Sequence, residues 1–486
     1  MLFDSIQFMI FFPIVFIIYF AIPKKIRYIW LLISSYYFYL CWNPQYSIIL
    51  LATTLITYIG ALQMRKNHKK VWFVGCLVSC IAILAFFKYW LFALENINHI
   101  LSLFKVATLS TSYDFILPVG ISFFTFQSLG YLIDVYKGKA EPEKNFAKYA
   151  LFVSFFPTII SGPIERSGNL LRQICVGTDF SYENAQKGLM YMALGYFEKL
   201  LIANRIGAMV DTAFNNYTEQ TGATLLFAIF LYAIQIYADF AGYSYLAIGM
   251  SKVLGFELIE NFKRPYFSLS IKEFWKRWHI SLSQWLRDYV YISLGGNRKG
   301  KVRTYVNLLI TFLVSGLWHG ANWQFVVWGG LHGVYQICGT LTMKLRNGIK
   351  EKLRIKTDCF SYRLFQAGVT FVLVDFAWLF FRAPSLTDAF AILERIATEL
   401  HPLSTLVNYD YYLGLKQERF TLLIIEVLIM IVIDALHEKQ ISIIAWLNKQ
   451  NVIFRWIVYI FVSIAIITGM LYNYGAESST FIYAQF

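Results

Sequence analysis

The sequence predicts an all-α polytopic integral membrane protein, and three observations support this class. The 486 residues are 58% hydrophobic and only 15% charged, whereas a soluble domain usually carries about 25% charged residues. Apolar runs recur along the whole chain. The net charge of +14 is best explained by cytoplasmic loops rich in Lys and Arg, which makes nucleic-acid binding the weaker account. Several linked soluble domains are therefore not expected.

Basic clusters follow the first and the third of the first three apolar runs and predict an orientation. The runs are Gln7–Ile22, Tyr28–Trp42 and Tyr46–Met64, and the clusters are Lys24–Arg27 and Arg65–Lys70. If each run crosses the membrane once, both clusters lie on the same side. The positive-inside rule then places the clusters in the cytoplasm and the N-terminus outside.

The remaining apolar runs predict further membrane spans. They are Val71–Phe87, Leu117–Val135, Tyr149–Ile160, Gly188–Ile202, Thr224–Met250, Tyr305–Trp318, Trp323–Leu341, Phe365–Phe381, Phe420–Leu436 and Ile453–Leu471. A full crossing takes about 20 apolar residues, so about 11 to 13 spans are expected and the shorter runs are candidates for re-entrant or interfacial helices. No linker or repeat divides residues 1–486, which are expected to form a single transmembrane domain. The six cysteines show no metal-binding spacing, and no metal site is predicted.

The segment Ile271–Tyr289 has the spacing of one amphipathic helix with two stripes. The apolar stripe is Ile271, Trp275, Trp278, Leu282, Trp285 and Tyr289, and the second stripe is Lys272, Lys276, His279, Ser283 and Arg287. A crossing helix would not carry so many ionisable groups, so an interfacial helix or one that lines a wet cavity is expected. The basic stripe would suit the phosphates of an anionic cofactor or of lipid headgroups. A plain surface helix is the alternative.

A glycine-rich basic loop, Leu294–Lys301, follows this segment and contains Arg298. It is either a second group of phosphate contacts or a cytoplasmic connector that obeys the positive-inside rule. It lacks the glycine and lysine spacing of a nucleotide-binding P-loop.

His319 is the strongest candidate for chemistry, because it lies inside an apolar run between Gly316 and Gly320. An ionisable residue at membrane depth is a functional hypothesis by default, and the glycines would leave room for a substrate. A buried, hydrogen-bonded structural histidine is the alternative. His332 is a weaker case of the same kind. Asp239 could orient a histidine, although a structural ion pair between helices is the favoured interpretation.

The motifs around these residues resemble the membrane-bound O-acyltransferase family, in its bacterial alginate O-acetylation branch. Residues 261–333 form the central motif region and contain FWKRWHISLSQWLRDY at 274–289 and GLWHGANW at 316–323. Further similarity lies at 117–136, 155–166 and 235–249, and in the first and last segments of the chain.

The resemblance implies a fold, an activity and a site. The fold would be a ring of membrane helices around a central funnel, and the activity an O-acyltransferase (acetyltransferase) in the bacterial cytoplasmic membrane. His319 matches the family's catalytic histidine and His279 its second functional histidine. The acyl donor would be acetyl-CoA as a substrate, with no permanently bound cofactor. The acyl group would leave on the outer face for O-acetylation of an extracellular polysaccharide, with an SGNH-type acetyltransferase as partner.

A mechanism with a neutral imidazole at position 319 is consistent with the residues. The imidazole would accept a proton from an attacking hydroxyl group, and burial away from other charges favours its neutral form. Lys272, Lys276, Arg287 and Arg298 would contact the donor. Three alternatives remain: D-alanyl transfer from a carrier protein to teichoic acid, a transporter without chemistry, and a non-catalytic scaffold for an extracellular acetyltransferase. No inverted repeat is visible in the sequence, which argues against the transporter.

Overall fold

The computed structural model describes residues 1–42, 44–65, 68–109, 117–401 and 412–473. Within these residues every regular element is a helix. The all-α prediction is therefore confirmed. The closing FIYAQF segment and two residues of the basic cluster 65–70 lie outside the described residues.

The chain divides into two compact units. Over the described residues, the first comprises Met1–Met192 and Leu246–Ile259, and the second comprises Ala193–Tyr245 and the chain from Glu260 onward. Every residue proposed from the sequence as part of a functional site belongs to the second unit. A single transmembrane domain over residues 1–486 and a central funnel stay predictions.

Over its described residues, the first unit contains eight complete α-helices and most of a ninth, besides the end of a helix that it shares with the second unit. They are α1 (Ile6–Ala21), α2 (Arg27–Leu40), α3 (Ser47–Gln63), α4 (Lys69–Leu103), α5 (Ile121–Tyr136), α6 (Phe146–Ser154), α7 (Phe156–Ile159), α8 (Arg172–Val176) and most of α9 (Tyr182–Tyr196). Helices α3, α4 and α5 pack on one another, and α2 packs on α6. The predicted span Tyr149–Ile160 is interrupted at Phe155, where the backbone leaves the helical region. This run is thus one of the short, broken segments that were expected.

The second unit contains the helices that build the site. They are α10 (Asn204–Asn215), most of α11 (Gly222–Val253), α12 (Ile271–Arg277), α13 (Ile280–Leu286), α14 (Lys301–His319), α15 (Trp323–Leu341), α16 (Met343–Lys352), α17 (Phe360–Arg382), α18 (Leu386–Thr398), α19 (Gln417–Glu438), α20 (Ile443–Asn448) and α21 (Val452–Asn473). Short π-helices occupy Phe197–Ala203 and Arg287–Tyr291. Helices α14 and α15 form an antiparallel hairpin, and α15 also packs on α12 and α17.

Six described helices are long and apolar enough to cross a membrane. They lie within Pro44–Gln63, Lys69–Leu103, Gly222–Val253, Phe360–Arg382, Gln417–Glu438 and Val452–Leu471. Each coincides with a predicted apolar run. Several leave most of their apolar side chains on the surface of the chain; in Val452–Leu471 only 6% of the most apolar window is buried. Such a surface suits lipid rather than water, so the chain is a multi-pass membrane protein. The total of 11 to 13 spans stays a prediction.

Candidate active site

His319 is the last residue of α14, and its position follows from the α14–α15 hairpin. The helix stops there because Gly320 is extended, and Asn322 then caps α15 by accepting a hydrogen bond from the backbone amide of Trp323. His319 is buried, with 2% of its surface exposed. The hairpin thus carries an imidazole into the protein interior at its turn.

The glycines next to His319 serve helix packing rather than substrate access. A Cβ added at Gly316 would collide with the carbonyl of Phe325 on α15, and one added at Gly320 would collide with the Phe325 ring. Gly329 packs equally closely against the backbone of α14. The expectation that Gly316 and Gly320 leave room for a substrate is therefore wrong: a neighbouring helix fills that space.

His279 occupies a break between two short helices, so the prediction of one helix over Ile271–Tyr289 is wrong. Helix α12 ends at Arg277, Trp278 is extended, and His279 has the left-handed backbone angles φ 42° and ψ 56°. Few residues other than glycine and asparagine adopt such angles. The segment continues as α13 and then as the π-helix at Arg287–Tyr291. The break redirects His279 from the predicted basic stripe into the interior, where none of its surface is exposed.

The segment that precedes α12 holds this break in place through backbone hydrogen bonds. The amide of Lys263 donates to the carbonyl of Arg277 over 2.9 Å, and the amide of Ile280 donates to the carbonyl of Asn261 over 3.0 Å. The Asn261 side chain also accepts a hydrogen bond of 2.6 Å from the hydroxyl of Ser281. Because these partners lie 14 to 20 residues apart in sequence, local spacing could not reveal them.

The structure brings the two histidines together. The ring centroids of His279 and His319 are 6.4 Å apart. Aromatic rings surround both: Trp328 meets His319 edge to face at 4.9 Å, and Phe240 meets His279 at 4.6 Å. Trp318 contacts both imidazoles. Both imidazoles thus lie side by side in the protein interior among aromatic rings.

The predicted donor-binding side chains lie on the protein surface and are separate from the buried pair. Lys272, Lys276, Arg287 and Arg298 are all exposed. Arg287 forms an ion pair of 2.8 Å with the neighbouring Asp288. The stripe that was predicted to join His279 to these residues is thus divided by the break: its lysines face outward and its histidine faces inward.

The remaining candidates have structural partners. The Nδ1 atom of His332 accepts a hydrogen bond of 3.2 Å from the indole of Trp275. Asp239 on α11 forms a fully buried ion pair of 2.7 Å with Lys199 on the π-helix at Phe197–Ala203. The favoured interpretation of Asp239 as half of an interhelical ion pair is confirmed. Lys199 was missed, although a lysine in an otherwise apolar run was a usable signal.

Sequence reasoning also missed Asn261, Phe240 and Trp328 as parts of the site. An asparagine that opens the motif region was a usable signal for Asn261. Aromatic residues are too frequent in this chain to single out two of them. Over the described residues, no three His, Cys, Asp or Glu side chains lie close enough together to hold a metal ion.

These features define an all-helical, multi-pass membrane protein with two imidazoles buried side by side. The sequence model of the membrane-bound O-acyltransferase family matches residues 143–381, a range that contains both histidines. The probable alginate O-acetylase AlgI of Pseudomonas aeruginosa is 37% identical over 402 residues, which cover 82% of this chain and 75% of that protein.

Two other relatives widen the group. The peptidoglycan O-acetyltransferase of Helicobacter pylori is 34% identical over 75% of this chain and 73% of its own length. The teichoic acid D-alanyltransferase of Streptococcus thermophilus is 31% identical over 54% of this chain and 67% of its own length. The chain belongs to the membrane-bound O-acyltransferase family, and it is an O-acyltransferase.

Proposed function

We propose that the chain takes an acetyl group from acetyl-CoA in the cytoplasm and passes it across the bacterial cytoplasmic membrane for O-acetylation of an extracellular polysaccharide. The observation that carries this proposal is the buried pair of His279 and His319, whose ring centroids are 6.4 Å apart. It is supported by the alginate and peptidoglycan O-acetylating relatives.

The proposed reaction needs one proton acceptor and no external oxidant or reductant. His319 accepts the proton of an acceptor hydroxyl as its oxygen attacks the thioester carbonyl carbon. A C–O bond forms, the C–S bond breaks, and the imidazolium returns the proton to the leaving thiolate. General-base catalysis of this kind is worth about 10²- to 10⁴-fold. His279 would polarise or position the acyl group, and the surrounding aromatic rings would exclude competing water.

Passage to the outside requires an acceptor there, and we assign this role to an SGNH-type acetyltransferase that delivers the group to the polysaccharide. Purified protein in lipid vesicles should release CoA from acetyl-CoA when such a partner is present. A transporter or a scaffold would leave the thioester intact. Acetylation by living cells without thioester cleavage by the purified proteins would favour the scaffold.

D-alanyl transfer is the second candidate function, because of the D-alanyltransferase relative. The two differ in their donors: one would use acetyl-CoA and the other a D-alanyl carrier protein. Both donors can be offered to the same vesicle preparation to distinguish the two functions. Only the true donor should lose its acyl group.

The positive-inside rule places the basic cluster at Arg65–Lys70 in the cytoplasm and the N-terminus outside. We expect a cysteine introduced at His68, an exposed position, to resist an impermeant thiol reagent in intact cells and to react after the cells are opened. A cysteine introduced near Asp4 should react in intact cells. The measurement is mass-tag labelling in a background that lacks the native cysteines. Labelling of position 68 in intact cells would show that the orientation is the opposite of the predicted one.

Lys272 and Lys276 are proposed to recruit the phosphates of the donor. Because both side chains are exposed, the Lys272→Ala, Lys276→Ala variant should raise the KM for acetyl-CoA several-fold, leave kcat unchanged and weaken the dependence of KM on salt. A matched control removes two other exposed lysines, Lys344 and Lys352 on α16, and should leave KM unaltered. Equal KM values in both double variants and the unmodified protein would mean that Lys272 and Lys276 contact only lipid or water.

A further inference from the structure

Glu438, the last residue of α19, forms ion pairs with two arginines of the central motif region. Its carboxylate pairs with Arg277 through two contacts, from Nη1 to Oε2 over 2.8 Å and from Nη2 to Oε1 over 3.0 Å. The Nε atom of Arg264 donates to Oε2 over 3.0 Å. Arg277 also contacts Glu273 over 2.7 Å. Two carboxylates thus neutralise two guanidinium groups in one cluster.

The two arginines belong to the two segments that define the break at His279. Arg277 ends α12 and lies two residues before His279. Arg264 has a left-handed backbone angle of φ 48° and follows Lys263, whose amide bonds to the Arg277 carbonyl. A backbone held in this sparsely populated region depends on the contacts around it. Glu438 supplies such contacts to both segments at once.

The location of the cluster makes these contacts stronger than ordinary surface pairs. The side chains of Arg264, Arg277 and Glu438 are only 20% to 28% exposed. Partial burial weakens screening by solvent, and the two-contact geometry fixes the orientation of the Arg277 guanidinium. Loss of the carboxylate would leave two adjacent positive charges that are partly removed from water.

We propose that Glu438 is a positioning residue for acyl transfer: it holds the Trp278–His279 break and thereby keeps the His279 imidazole beside His319. Helix α19 lies outside residues 143–381, the region that the family model matches. A C-terminal helix beyond that region would then contribute directly to the alignment of the site. This inference rests on the proposed acetyl transfer.

The test compares Glu438→Gln with the unmodified full-length protein in lipid vesicles. Glutamine keeps the size of the side chain and removes its charge. We expect kcat to fall about 10- to 100-fold, up to the loss that a misplacement of about 1 Å can cause. The KM for acetyl-CoA should stay within about twofold, because the exposed lysines are untouched. Glu438→Asp keeps the charge on a shorter stem and should give an intermediate kcat.

Helix α19 offers a matched control. Glu426 pairs with Arg205, whose Nη1 atom contacts both carboxylate oxygens over 3.0 and 2.8 Å, and these side chains are somewhat more buried than the Glu438 cluster. Glu426→Gln removes the same charge from the same helix without touching the motif region and should retain kcat. Equal losses of kcat in Glu438→Gln and Glu426→Gln would overturn the proposal, because they would indicate a general requirement for α19.

A second measurement separates this inference from the proposed function. Diethyl pyrocarbonate modifies accessible imidazoles, and mass spectrometry of peptides can follow its reaction with His279. Glu438→Gln should speed this modification, whereas Glu426→Gln should not. If the protein without substitutions fails to transfer acetyl groups, the proposed function is wrong. The reactivity of His279 towards the reagent still tests the positioning role in that case. Unchanged His279 reactivity and unchanged kcat in Glu438→Gln would overturn that role.

Discussion

His319→Ala should lower acetyl transfer by about 10²- to 10⁴-fold, the usual contribution of a general base, while protein abundance in the membrane stays near normal. The imidazole ends α14 in a pocket of aromatic rings, and in the proposed reaction it is the group that accepts the proton. His319→Gln keeps polarity and some hydrogen bonding but cannot accept the proton, so it should fail as well. The measurement is acetyl content of the exopolysaccharide per amount of membrane protein.

A structural histidine at position 319 predicts the opposite pattern. Glutamine would partly restore function, and alanine would reduce abundance because a buried partner would lose its hydrogen bond. His332 provides the control, since its Nδ1 atom accepts a hydrogen bond from Trp275. His332→Ala should reduce the amount of protein in the membrane, whereas acetylation per amount of protein should fall less. Normal acetylation by His319→Ala at normal abundance would end the catalytic proposal and favour the scaffold.

The sequence predicted best what depends on local composition. The run Trp323–Leu341 has the same bounds as α15, and Thr224–Met250 lies within α11. Long apolar segments are visible without knowledge of their partners, because lipid selects for composition over the whole length of a helix. The same dependence on composition explains why the predicted run Val71–Phe87 is shorter than α4. The helix extends to Leu103 through a more polar segment.

The break at His279 could not be predicted, because it contradicts the local pattern. Residues 271–289 have an unbroken helical periodicity, and only the backbone hydrogen bonds from Asn261 and Lys263 make a left-handed residue favourable there. Once the break exists, the phase of the helix changes and His279 leaves the face of Lys272 and Lys276. Tertiary contacts of this kind routinely override local propensity.

The histidine pair was predicted from the motifs, whereas its surroundings required the structure. A histidine in an apolar run is equally compatible with catalysis and with a buried structural role. His279 and His319 lie 40 residues apart in sequence. No rule of residue spacing predicts that two segments so far apart in sequence come together. The ion pair of Lys199 and Asp239, also 40 residues apart, was not predicted for the same reason.

His279→Asn and His279→Gly should each reduce acetyl transfer at least tenfold, in line with loss of a residue that orients a substrate. The backbone at position 279 is left-handed, with φ 42°, and glycine and asparagine are the residues that tolerate this conformation best. Both variants therefore preserve the break and remove the imidazole. His279→Ala is less informative, because alanine would add backbone strain to the loss of the ring. Activity is measured as acetyl transfer from acetyl-CoA in vesicles with equal amounts of protein.

These variants separate the ring from the backbone. If position 279 matters only as the point where α12 and α13 diverge, Asn and Gly should retain activity while Ala loses it through strain. If the imidazole acts on the substrate, all three should fail, and the His279→Asn protein should keep normal abundance. Combining His279→Asn with His319→Gln adds a second criterion. Residues that act as a unit have non-additive effects, so the double variant should be no slower than His319→Gln alone. Full activity of His279→Asn would restrict the role of this residue to the shape of the chain.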